Sequence, residues 1–239
     1  MSSMVKRWYW FIKSTIYIII YAVLALPLYH IVSEIHITEP HTLFSPIDYY
    51  IPFISAFAIF YVFIFYPFIL FTIGYFAYIR PEKANRFFSA LFLIYAVSFI
   101  TYIVFPVMMI RPNPNSLPKD FLSQVMKKYY ESDPPLNCFP SLHAALSTIA
   151  AYYLSKEKPK YRIVFWFIAT CVILSTLFVR QHVIVDEIAG FALAYFAGWI
   201  TEKKIKVGEE VKEGILGRLV FTIVVASLVT VFIVSGYIP

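Results

Sequence analysis

Charge is scarce in this chain. Only 14% of its 239 residues are Asp, Glu, Lys or Arg, against about a quarter in a soluble domain. So few charges cannot clothe a water-exposed surface of this size. With 60% hydrophobic residues, the chain reads as an integral membrane protein. Cysteine is nearly missing too. Cys138 and Cys171 stand alone, which excludes a disulfide framework and a cysteine-rich metal cluster. No internal repeat, low-complexity tract or second domain interrupts positions 1–239, so a single membrane domain is expected. The net charge of +6 finds its explanation in loop topology, not in a nucleic-acid partner.

What is abundant is apolar length. Apolar segments fall at 10–33, 49–79, 86–108, 142–154, 161–179, 183–200 and 216–237, and a bilayer crossing takes about 20 residues. The expected fold is all-α: a polytopic membrane helical bundle with six core transmembrane helices and a C-terminal seventh. The second segment is overlong and carries Pro52 and Pro67, so it should kink, tilt or start in the interface. The fourth is short, so its N-terminal end should be recessed below the membrane surface or supported by neighbouring helices. Lys6-Arg7 followed by an apolar run resembles a signal peptide, but no small-residue cleavage site follows, so an uncleaved first helix is expected.

The linkers alternate in charge. Fifteen basic residues lie on one side, including Arg80, Lys83, Arg86, Lys156 and Lys203, against Arg111, Lys119, Lys127, Lys128 and Arg180 on the other. Positive loops stay cytoplasmic, which puts the N-terminus inside and the C-terminus outside. The longest outer loop, 109–140, is proline-rich and carries an amphipathic stretch at Phe121–Tyr130.

That loop leads into Cys138-Phe-Pro-Ser-Leu-His143, and Arg180-Gln-His182-Val-Ile-Val-Asp186 follows later. Each opens an apolar segment, so both gather ionisable groups at an extracytoplasmic membrane boundary, where such groups usually serve function. Ser141 after Pro140 reads as a helix N-cap, and a helix N-terminus is a natural seat for phosphate. His143, in that first turn, is placed to protonate a departing oxygen. His182 and Asp186 are four apart and are expected to share a helix face. There the carboxylate holds one ring proton and leaves the other nitrogen free to attack. Arg111 and Arg180 could neutralise charge that spreads in the transition state. Together these residues point to phosphoryl transfer through a phospho-histidine.

These motifs resemble the type-2 phosphatidic acid phosphatase superfamily, the lipid phosphate phosphatases. The family pattern is Lys-x6-Arg-Pro, Pro-Ser-x-His and Ser-Arg-x5-His-x3-Asp. The second is intact as Pro140-Ser141-Leu142-His143, and the third matches at Ser175, His182 and Asp186. The first survives as Arg111-Pro112. The resemblance implies His182 as nucleophile, Asp186 as its orienter and His143 as acid, with Ser141 and Arg111 on the phosphate. It implies no cofactor and no metal. The motif region spans 104–190. Val104 and Thr176 stand where the family has Lys and Arg, and Arg180 is a candidate replacement. The wording around Cys138 and Gln181 looks closest to the inositol-phosphoryl-ceramide synthase-like branch.

The expected activity is a metal-independent lipid phosphatase at the outer face of the cell membrane, acting on a lipid phosphate monoester or pyrophosphate. The alternatives are a head-group phosphotransferase using an alcohol acceptor and, from another class, an inactive lipid transporter or scaffold. Glu187 reads as a surface acid or one that backs the site. His30, His36 and His41 read as interfacial, because their spacing matches no metal site. The bilayer and a lipid phosphate are the expected partners, with no nucleic acid.

Overall fold

The fold is seen in a computed structural model that describes residues 3–208. Helix α1 (Ser3–Val23) runs through a π-turn at Leu24–Leu28 into the short α2 (Tyr29–Glu34). The next helix, Ser55–Ile79, contains a π-turn at Ile59–Ile64, then α3 (Phe65–Gly74), then a second π-turn at Tyr75–Ile79. After it come α4 (Ala84–Val104), α5 (Phe121–Ser132), α6 (Leu142–Glu157), α7 (Arg162–Phe178) and α8 (Ile184–Lys204). Among the described residues there is no strand, only an isolated backbone bridge between His41 and Val107.

The prolines account for two irregularities. Pro27 lies inside the π-turn Leu24–Leu28, and Pro67 sits in the first turn of α3 just after the π-turn Ile59–Ile64. Proline brings no N–H, so the carbonyls of Val23 and Phe63 lose their usual donors and the ladder adjusts locally. Pro52 stays in the extended lead-in, so the overlong second segment becomes a helix only at Ser55.

Ser55–Ile79, Pro81–Val104, Pro159–Phe178 and Ile184–Lys204 are long and apolar enough to cross a membrane, and α1 adds the shorter apolar run Trp8–Val23. With α6 these make six helical segments of an all-α membrane bundle. The expected seventh, 216–237, lies outside the described residues. Helix α6 is the axis, with 13 of its 16 residues buried. It packs on α3, α4, α7 and α8. Its Ala144, Ala145, Ser147, Ala150 and Ala151 keep its surface low, so neighbouring backbones approach closely. Gly190 of α8 is one such approach: a Cβ there would collide with the Ser141 carbonyl oxygen and stand 3.0 Å from Ala144 Cβ. Outward-facing residues are apolar. Ile163 is 81% exposed, and Phe167, Ile188 and Phe196 are also exposed, a surface suited to lipid.

The two ends of the bundle differ. At one, Arg80 pairs with Glu82 (2.7 Å) and Glu157 (3.4 Å), Lys83 with Glu157, and Lys156 with Glu202. Arg86 Nε donates to the Ile205 carbonyl at 2.6 Å. The loops counted as cytoplasmic are therefore one cluster. The N-termini of α6 and α8 and the C-terminus of α7 meet at the opposite end, where both motifs lie.

Candidate active site

The rings of His143 and His182 lie 5.7 Å apart, centroid to centroid, and inclined at 62°. Two local devices bring them together. Ser141 caps α6, its Oγ accepting from the Ala144 amide at 3.2 Å, and this fixes His143 in the first turn. The Ser141 amide donates to the Asp186 carbonyl at 3.1 Å, which joins the start of α6 to the start of α8.

His182 itself precedes α8, so the expectation of a shared helix face is corrected: the histidine is in the loop and Asp186 reaches back from the first helical turn. Asp186 Oδ2 lies 3.4 Å from His182 Nδ1 and accepts from the Val183 amide at 3.1 Å. That spends the carboxylate partly on the helix end, as an N-terminal acid does. The amides of Gln181 and His182 donate to the Thr176 carbonyl at the end of α7, at 2.8 and 3.3 Å. Burial alone would lower the His182 pKa, but the Asp186 bond and the charges of Glu187 and Asp186 outweigh it, and the pKa is raised.

The cations divide. Arg111 Nη2 donates to Gln181 Oε1 at 2.5 Å and to Asp133 Oδ2 at 3.0 Å, while its Nη1 donates to the Asp133 carbonyl at 2.5 Å. The guanidinium is thus anchored one residue from His182, and its buried Nε has no partner among the described residues. Burial drives the Asp133 carboxyl pKa up against the pull of Arg111. Arg180 goes elsewhere. With φ of 52° it turns its side chain away, Nη1 donating to the carbonyls of Asp48 (2.7 Å) and Ile51 (3.1 Å), and lies over the Phe44 ring. Its Nη1 thus braces the 44–51 loop, and a phosphate contact from Arg180 would fall to the other guanidinium nitrogens.

Glu187 is also placed differently from the surface reading. It is only 4% exposed, and its Oε1 accepts from Thr176 Oγ1 at 2.8 Å. The position that carries arginine in the family motif thus holds a hydroxyl bonded to an acid, behind Ser141 and His182. Asp48 was not singled out in the sequence. Its Oδ1 accepts from the Ile184 amide at 2.9 Å and so caps α8 from the loop that follows α2. Burial works against the Asp48 charge, but Ser45, the Ile184 amide and Arg180 more than offset it and hold its pKa below the ordinary carboxylate value. Gln181, the partner of Arg111, was noticed only as motif wording.

Beside the histidines lies a cavity of about 160 Å³, lined in part by Tyr21, Tyr29, Tyr61, Tyr95, Asp133 and Asn137. Cys138 is buried and unpaired beneath the loop, its thiol pKa raised by burial. His30 lines the same cavity, and His41 stacks on Phe105 at 4.8 Å. Among the described residues no three His, Cys, Asp or Glu side chains gather as a metal site requires.

No curated protein and no solved structure matches the chain. A family model does, that of the PAP2 superfamily, over residues 87–206. That stretch holds Arg111, Ser141, His143, His182 and Asp186, and it covers half of the sequence. The chain therefore belongs to the PAP2 superfamily, as an integral membrane protein of the phosphoryl-transfer type.

Proposed function

We propose that this protein is a lipid phosphate phosphatase that works through a phospho-histidine at the extracytoplasmic face. The observation carrying this reading is the adjacent pair of buried imidazoles, one of them backed by a carboxylate on Nδ1. With Nδ1 held by Asp186, Nε2 of His182 is free to attack phosphorus. The bond from phosphorus to the ester oxygen breaks, and His143 gives that oxygen its proton. In the second step His143 takes a proton from water. The hydroxyl attacks phosphorus, the P–N bond breaks, and phosphate leaves with His182 restored. Arg111 supplies the counter-charge, with Ser141 and the helix dipole at the start of α6 in support. The scheme calls for no metal.

A second reading keeps the first step and hands the phosphoryl head group to an alcohol. The tyrosine-lined cavity favours it, since about 160 Å³ of partly polar space next to His143 suits a compact hydroxylated molecule better than an acyl chain. An inactive scaffold is the remaining reading, motivated by Val104 and Thr176 in place of the family cations.

Purified protein in detergent, offered lipid phosphate monoesters and pyrophosphates with and without alcohols and with excess chelator, tests all three. Phosphate release in water alone, insensitive to chelator, is the expected result. Turnover only with an alcohol would establish transfer. His182→Ala should reduce turnover by at least about 10³-fold, and unchanged turnover would leave the scaffold.

A further inference from the structure

We propose that Tyr61 and Phe65 are the positioning residues of His143, two ring faces that aim its proton at the departing oxygen. The inference rests on the reading of His143 as the acid. His182 has a carboxylate to orient it. For His143 the arrangement differs: its Nε2 is buried with no hydrogen-bond partner among the described residues. Rotation about its ring bond is broad and roughly two-fold, so a hydrogen bond at that nitrogen does not set the plane.

Two rings do. Tyr61 stacks on the imidazole at 4.7 Å and 28°, and Phe65 lies at 4.5 Å and 42°. Both are buried. They stand four apart on the Ser55–Ile79 helix and so share a face. Tyr61 lies in the π-turn Ile59–Ile64, a distortion that recurs at functional sites. Tyr61 is itself held edge-on by Tyr129 of α5, at 5.6 Å and 74°. The acid is therefore steadied from the helix and, behind it, from the outer loop. Offset and tilted ring pairs have preferred geometries, so the contacts fix an orientation as well as excluding water.

The test compares esters that differ in how much they need an acid. An alkyl lipid phosphate expels a poor leaving group that must be protonated, whereas a nitrophenyl phosphate amphiphile does not. kcat/KM reports the expulsion step for both. Tyr61→Leu and Phe65→Leu should lower kcat/KM for the alkyl ester by about tenfold or more and for the aryl ester by less than about threefold, since acid catalysis contributes roughly 10²–10⁴. Tyr61→Phe, which keeps the ring face, should retain both rates. Should Tyr61→Leu not fold, as judged by size-exclusion in detergent, Phe65→Leu carries the same comparison. Equal losses on the two esters, or none, overturn the inference while leaving the phosphatase reading intact. A wild-type protein inert toward both esters overturns the two together.

Discussion

His182 is an ordinary imidazole put to use by its neighbours. Asp186 and Glu187 hold its pKa above the usual histidine value of about 6.5, although burial alone would lower it. In the proposed mechanism only the neutral ring attacks phosphorus. The acid limb of kcat/KM should therefore lie above pH 6.5, with rate lost as pH falls through it. Asp186→Asn removes one of the charges responsible, so the limb should shift to lower pH while the maximal rate drops by about 10² or more. A pH–rate profile of the two proteins checks both, and an unmoved limb would separate Asp186 from His182. The histidines were legible because their spacing is chemical. Glu187 was not, because nothing in sequence tells which side of a helix start faces inward; its burial follows from Thr176, whose hydroxyl takes one of its oxygens. The loop contact of Arg180 was hidden for a related reason, since it depends on a left-handed backbone at that residue and on the distant Asp48 carbonyl.

Among the elements, α8 against α6 matters most. Gly190 allows α8 to approach the Ser141 carbonyl, the contact that seats the His182 loop above His143. Gly190→Ala should push the helices apart, costing about 1–3 kcal/mol as overpacking does. Thermal unfolding in detergent would read that loss, and activity should fall with it. A variant as stable and active as the parent would mean the close approach is dispensable. Among the described residues, the six apolar segments were legible as helices, since long apolar runs have few alternatives. Helix boundaries near Pro52 and Pro67 were legible only as irregularities, and the π-turn holding Pro27 was not read from the sequence. The capping of α8 by Asp48 was invisible, because it joins residues 136 apart in sequence.

For the whole molecule, the ion-paired end and the histidine end are separated by the length of α6. On the proposed orientation, which rests on the loop charge count, the first faces the cytoplasm and the second the opposite side. A single cysteine at exposed Asn115 should label from outside intact cells, and one at exposed Lys158 only after the membrane is opened. The reverse pattern would invert the orientation. The bundle order was readable from loop charge, whereas the folding of the 109–140 loop onto the site was not. It depends on Tyr130 donating to the Val179 carbonyl at 2.5 Å and on Val107, Met109, Cys138 and Val183 packing together.

The buried waist of α6 has a further consequence. Its small residues are closed in by the surrounding helices, and Gly198 of α8 lies so near Tyr152 that a Cβ would stand 2.9 Å from the ring. A lipid whose phosphate is cleaved at the histidine end would therefore release its alcohol back into the monolayer it came from. On the proposed activity, each turnover would make the two halves of the bilayer less alike, and restoring their balance would fall to some other process.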